Sequence, residues 1–324
     1  MASEPDQAAD KAPLAQWSTR QERGSVFLLR LMTFISLRIG RPAGRFILYF
    51  IAAYFFAFAP EARRHSLTYL RRALGREPTA RDRFRQILMF ASTIHDRLHL
   101  INGQYHLFEI SIEGEPLVQR HLTAGHGAFL MGAHLGSFEV TRAVGLRQPG
   151  LRVTMAMYEE NANKVNARLA AINPAAKLDV VTLGRMDAML KIHDCLDHGA
   201  FVGVLGDRTF GPEDGQVVEF LGKPARLPIG AMRAAATLRR PVFFMIGLYR
   251  GGNRYHVVFE ELADFSAVPT GGRHAALQSA VARYAALLEK YCRSDPYNWF
   301  NFYDFWGGGE SGADSTRQPR RTAL

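Results

Sequence analysis

Beyond Gly125 the chain alternates short β-rich runs with helical runs, and this alternation restricts its possible folds more than any other feature. Candidate strands lie at 128–133, 152–158, 179–183, 201–205, 242–249 and 255–260; candidate helices lie at 138–147, 162–172, 186–198, 229–238 and 275–293. Strands alternating with helices build βαβ units, so the expected class is α/β with a largely parallel sheet flanked by helices. The last two strands, joined by Arg250-Gly251-Gly252-Asn253-Arg254, are predicted to form an antiparallel hairpin at one sheet edge. At 324 residues the chain has room for one large domain or two small ones. Cys195 and Cys292 are its two cysteines, too few for a disulfide framework or a four-thiolate metal site, and they point to a reducing compartment.

The charge is confined to one segment. From Arg20 to Arg85 stand 14 arginines, no lysine and four acids, a net +10 that equals the charge of the whole chain. Such a concentration implies a local anionic partner. Over 23–39 the arginines at 23, 30 and 38 share one sector of a helix, with Val26, Phe27, Leu31, Phe34 and Ile35 on other faces, which predicts an amphipathic helix ended by Gly40-Arg41-Pro42. Residues 46–59 follow, 14 positions rich in Phe and Tyr without a charge. That is short of the roughly 20 residues a perpendicular span needs, and arginines flank both sides. An in-plane or shallow re-entrant anchor on anionic lipid is expected, the alternatives being a transmembrane helix extended by the preceding residues and an ordinary buried helix. Nucleic acid is not expected, because neither a reading helix nor aromatics interleaved with basic residues on a sheet is present. The chain divides into a disordered lead-in at 1–19, membrane-associating helices at 20–100, an α/β domain at 101–306 and a disordered tail at 307–324.

Function in a parallel sheet gathers at the carboxyl ends of the strands. Strand 128–133 runs into His134-Leu135-Gly136-Ser137-Phe138-Glu139. The histidine is aimed into the crevice above the sheet, Gly136 permits a tight turn, and Ser137 can cap the next helix. Glu139, in that helix's first turn, is placed to fold back and fix the imidazole tautomer, giving a general base with its orienter and no nucleophile of its own. The alternative is a capped helix whose Glu139 complements the dipole. Strand 201–205 ends in Gly206-Asp207-Arg208, and then comes Phe220-Leu221-Gly222-Lys223-Pro224-Ala225-Arg226-Leu227-Pro228-Ile229-Gly230, read as a loop with two cations before a helix.

These residues resemble the bacterial lysophospholipid-acyltransferase superfamily, specifically its lipid A biosynthesis (lauroyl/myristoyl) acyltransferase branch. The signature there is His-x4-Asp/Glu, followed by an acidic strand end and a Phe-x-Gly loop with small residues and proline. His134 and Glu139 match the first motif at its spacing, and Asp207, Gly222 and Pro228 match the later blocks, over roughly 24–306. The resemblance implies an α/β sandwich with an N-terminal membrane-associating part on the cytoplasmic face of a bacterial inner membrane. It also implies O-acyl transfer from acyl carrier protein or coenzyme A to a lipid or glycolipid hydroxyl, without metal or organic cofactor. The run from Asn298 to Trp306 resembles the close of a subgroup often associated with exported pigment or polyene lipids. One departure is that Tyr158 precedes Glu159 and Glu160 where lipid A enzymes tend to carry a basic residue, which speaks against a bisphosphorylated glucosamine acceptor.

Other candidates have plainer readings. His95 and His99, four apart on a helix, are expected on a polar face rather than at a metal. Lys223 and Arg226 either hold a donor phosphate before a helix or lie in a solvated loop, with Gly222 beside them. Arg208 either orients donor or oxyanion or pairs with Asp207. The aromatic run 299–306 is expected to pack into the core, with an acyl pocket as the other reading. The expected activity is an O-acyltransferase with His134 and Glu139 catalytic and Asp207, Arg208, Gly222, Lys223 and Arg226 binding substrate. Its rivals are a non-catalytic lipid-presenting or scaffold protein and a lipid esterase, the latter without a Gly-x-Ser-x-Gly elbow.

Overall fold

The charge-free run forms helix α1 (Arg41–Phe58), which starts where Pro42 can sit in a first turn without losing a bond. This computed structural model describes residues 36, 38–173, 176, 178–208 and 215–307, so the helix expected over 23–39 and both termini lie outside the described residues, but for Ser36, Arg38, Ile39 and Gly307. Gly44, Leu48 and Ala52 form a buried row on α1. Phe46, Phe50, Tyr54 and Phe58, also four apart, stand on the opposite side and are each 60–66% exposed. Helix α2 (Pro60–Leu74) turns 94° from α1 and stops at Gly75 in the left-handed conformation. Helix α3 (Ala80–Ile101) begins with a capping box in which Thr79 and Asp82 exchange side-chain and backbone bonds. Among the described residues no single helix is long and apolar enough to cross a membrane; α1 and α2 qualify only as a bent pair.

Charged groups dock α1 onto the rest of the molecule. Arg41 holds Asp96 of α3 through two bonds of 2.7 and 2.8 Å, and Tyr255 Oη donates to the same carboxylate at 2.8 Å. Arg41 and Arg45 both donate to the Gly252 carbonyl at 2.6 Å, in the turn that joins the last two strands. Much of the basic segment is thus engaged in structure: Arg71 pairs with Glu77, Arg76 with Asp82, and Arg72 and Arg85 lie over Trp306 and Tyr297. His95 and His99 are buried, not on a polar face, bonded to Ser36 and Gln104.

The elements that follow are β1 (Glu109–Glu113), α4 (Glu115–Thr123), β2 (Phe129–Gly132), α5 (Phe138–Arg147), β3 (Val153–Tyr158), α6 (Glu159–Ile172), β4 (Val180–Leu183), α7 (Ala188–Asp197) and β5 (Phe201–Leu205). They continue as β6 (Gly215–Phe220), β7 (Lys223–Pro228), α8 (Gly230–Leu238), β8 (Pro241–Gly251), β9 (Arg254–Asp264) and α9 (Arg273–Ser294). Seven strands form one sheet in the order β1-β9-β8-β2-β5-β3-β4, with every pair parallel except β8 and β9. Both faces are covered, so the central strands divide their side chains between two cores. Phe129, Met131, Val242, Phe244, Ile246 and Leu248 enter one core; Leu130, Phe243, Met245 and Tyr249 enter the other.

Two features differ from the sequence reading. The β8–β9 hairpin is not the edge, because β1 adds outside β9 in parallel register. Its Glu-Ile-Ser-Ile-Glu sequence alternates exposed with half-buried residues as an edge strand does. The segment expected as a cation-bearing loop is instead a separate β6–β7 hairpin, closed by Leu221 (φ 52°) and Gly222 (φ 75°). Two successive positive φ values make a primed turn, which suits the twist of paired strands. Pro224 and Pro228 conceal the strand in the sequence; a two-stranded ribbon is all edge and tolerates them.

Replacing Arg41 by Met removes one partner of a carboxylate that is fully buried. The expected loss is about 3–5 kcal/mol in urea unfolding, and Arg41→Met combined with Asp96→Leu should lose less than Arg41→Met alone.

Candidate active site

Three segments meet at the carboxyl end of the central strands. β2 delivers His134, β5 delivers Asp207 and Arg208, and the segment after α9 delivers Asn298–Asn301. Gly132 at the end of β2 is held from below, its carbonyl accepting from Gly206 N–H at 2.9 Å and from Tyr284 Oη at 2.8 Å.

The turn after His134 works only with glycine. Gly136 has φ +81°, and a Cβ there would lie 2.1 Å from the Gly247 carbonyl oxygen. The close approach lets Ser137 N–H donate to Gly247 O at 2.7 Å and Gly136 N–H donate to Asn298 O at 2.8 Å. Ser137 precedes α5 but makes no side-chain cap, contrary to expectation; its backbone N–H is the group that binds, to Gly247 of β8.

His134 Nδ1 lies 2.9 Å from Asp207 Oδ1, and the backbone N–H of His134 donates to Asp207 Oδ2 at 3.0 Å. Asp207 is fully buried, whereas 30% of the His134 side chain reaches solvent. An ionised Asp207 makes Nδ1 the protonated nitrogen and leaves Nε2 as the one able to take a proton. Burial pushes the imidazole below its ordinary value; Asp207 opposes this, and Arg208 and Arg97 add to it. Burial would raise Asp207, but the His134 charge and hydrogen bond, with Arg208 and Asn301, bring its carboxyl far below the usual range. The pair is therefore carboxylate and neutral imidazole near neutral pH.

Glu139, expected to orient His134, does not make that contact. Its carboxylate is buried between Arg97 (Nε to Oε1, 3.4 Å) and Arg142 (Nη1 to Oε2, 3.7 Å), and Oε2 has no hydrogen-bond donor. The helix starting at Phe138 carries Glu139 toward α3, while β5 brings Asp207 directly beside the ring.

Arg208 donates through Nε to Asn301 Oδ1 at 2.9 Å and lies over the Tyr303 ring. Gly222 is a turn residue, Arg226 bonds the Gly215 carbonyl on the exposed side of the hairpin, and Lys223 opens β7. Among the described residues, none of these three hydrogen-bonds His134 or Asp207. The aromatic run packs into the core as expected: Trp299 is wholly buried against Tyr69, Phe220 and Phe305. Asn301 and Arg97 escaped the sequence reading. A lone amide between Phe300 and Phe302 was the available signal, since a polar group in a buried aromatic run needs partners.

Gly136→Ala would force a side chain into both a left-handed conformation and a backbone oxygen. It should cost at least about 1–2 kcal/mol, read as a fall in urea midpoint.

Residues 15–306 match the family model described as bacterial lipid A biosynthesis acyltransferase. No curated protein matches the chain.

Proposed function

We propose, from the premise that this chain belongs to the bacterial lipid A biosynthesis acyltransferase family, that it moves a fatty acyl chain from an acyl thioester to a hydroxyl of a lipid or glycolipid, with His134 as general base. Membership makes the protein a lipid acyltransferase, with an acyl donor and a lipid acceptor. The observation that supports the finer reading is the 2.9 Å contact between His134 Nδ1 and buried Asp207. Asp207 engages Nδ1, which leaves Nε2 to take the proton of an attacking hydroxyl supplied by the acceptor.

His134 Nε2 takes the acceptor's hydroxyl proton as the oxygen attacks the thioester carbonyl carbon. The new C–O bond gives a tetrahedral oxyanion; its collapse breaks C–S, and the imidazolium returns the proton to the departing thiolate. Asp207 fixes the tautomer and stabilises the imidazolium. Arg208 is a nearby cation suited to the oxyanion. Glu139 acts at one remove, neutralising Arg97, whose charge lowers the ring's proton affinity. The donor is acyl carrier protein or acyl-coenzyme A.

The exposed Phe46, Phe50, Tyr54 and Phe58 row lies in the plane of an anionic membrane, on the cytoplasmic face of a bacterial inner membrane. α1 thereby holds the site beside a lipid acceptor.

His134→Ala should lower turnover roughly 10²–10⁴-fold, measured with labelled lauroyl–acyl carrier protein and lauroyl-coenzyme A against a bacterial lipid extract, with acylated products identified by mass spectrometry. Wild-type turnover would remove the base assignment, and free fatty acid as the product would point to an esterase. The wild-type kcat/KM should be flat above neutral pH and fall on acidification, with the fall centred below the ordinary histidine value because the ring must be neutral. Asp207→Asn removes the charge that raises the ring's proton affinity, so that fall should move to lower pH while kcat drops more than in Glu139→Gln.

Phe46→Ser combined with Phe50→Ser removes two exposed rings, each worth about 1.5–3 kcal/mol when fully buried. Flotation with anionic vesicles should show at least roughly tenfold weaker binding at equal ionic strength, and unchanged binding would overturn the membrane reading.

A further inference from the structure

The C-terminal segment does more than fill the core. Trp299 pairs with Leu135 as an isolated antiparallel bridge, Phe300 N–H donates to the His134 carbonyl at 2.8 Å, and Asn298 O accepts from Gly136 N–H at 2.8 Å. The backbone of His134 is therefore held from one side by 298–300. At the end of this strip the Asn301 side chain, buried with 2% exposure, turns toward the carboxylate. Its Nδ2 donates to Asp207 Oδ2 at 2.7 Å, and its Oδ1 accepts from Arg208 Nε at 2.9 Å.

From this geometry we infer that Asn301 is a positioning residue for the His134–Asp207 pair, acting through Asp207 and not on substrate; the inference rests on the proposed role of His134. Asp207 Oδ2 accepts from the His134 backbone N–H at 3.0 Å and the Asn301 amide at 2.7 Å, and His134 Nδ1, nearer to Oδ1, also lies 3.2 Å from it. With that oxygen pinned twice, Oδ1 is turned onto His134 Nδ1. The amide cannot flip, because a flipped Asn301 would set its carbonyl against a carboxylate and its NH2 against a guanidinium. Only a side chain with a donor on one arm and an acceptor on the other, at this length, links the two. Aspartate has the shape but would bring a second anion to Asp207, and alanine has neither arm. One residue thus fixes both the orienting carboxylate and the neighbouring Arg208.

The test uses the full chain as Asn301→Ala and Asn301→Asp, with His134→Ala as reference. Steady-state kinetics would use lauroyl–acyl carrier protein and a bacterial lipid extract. NMR pH titration of isotope-labelled histidine, with the His134 signal assigned by its loss in His134→Ala, is independent of turnover. Both Asn301 variants should lose kcat by on the order of 10²-fold, with donor KM within about threefold of wild type, because alignment is lost rather than binding. The His134 titration should move down in Asn301→Ala, where Asp207 is no longer held on the ring, and up in Asn301→Asp, where a second negative charge is added. Wild-type kcat in both variants, or a lower kcat with an unmoved titration, would overturn the inference and leave Asn301 a packing residue. If Asn301→Ala fails to fold, the isosteric Asn301→Asp carries the test alone. If His134→Ala keeps full turnover, the base assignment falls, and the titration shifts still decide whether Asn301 positions the pair.

Discussion

One buried carboxylate is the point on which the centre of this molecule closes. Asp207 lies at the end of β5, yet it accepts hydrogen bonds from the backbone and ring of His134 beyond β2 and from Asn301 beyond α9. An ionised group without solvent is tolerated only where donors surround it, and here those donors come from two segments, each far from Asp207 in sequence. The same demand shapes the surroundings: Gly136 and Gly247 lack side chains so that the turn after His134 can lie against β8, and Tyr284 and Gly206 tie down the last carbonyl of β2. Removing the carboxylate's charge would therefore reach both the chemistry and the packing of the strand ends.

The basic N-terminal part shows what a charge count leaves out, namely the partners of each charge. Fourteen arginines in one stretch suggest a surface offered to an anion. Yet Arg41 and Arg45 clamp α1 to α3 and to the β8–β9 turn, Arg76 supports the α3 cap, and Arg72 and Arg85 cover aromatic rings. What α1 leaves outward is a row of rings. Apolar area, more than net charge, is what this helix presents.

The sequence carried the sheet well where a strand is buried on both faces. Phe201–Leu205 and the helix Phe138–Arg147 coincide with their predicted bounds, β2, β3 and β4 differ by one residue at one or both ends, and β9 runs four residues past its predicted end. It failed at edges. β1 is half charged, and the β6–β7 ribbon contains two prolines, so neither resembles a core strand. At the site, His134 and its turn were legible because a strand end followed by glycine is a local signal. The carboxylate partner was not: local spacing favoured Glu139, five residues away, whereas the parallel pairing of β2 with β5 sets Asp207 against the ring from 73 residues away. Sequence distance says little about which acid a parallel sheet places beside a histidine.

The strip at 298–301 also sets an order of events during synthesis. β2 and β5 leave the ribosome long before Trp299 does, so the nascent sheet can pair while His134 still lacks its backbone partner at Phe300 and Asp207 lacks Asn301. Until those residues emerge, Asp207 is without the Asn301 amide among its donors. The C-terminal segment brings that donor and places Trp299 against Tyr69 of α2. Alignment of the histidine therefore waits on residues 298–301, and a ribosome-bound precursor that lacks them carries His134 and Asp207 without that alignment.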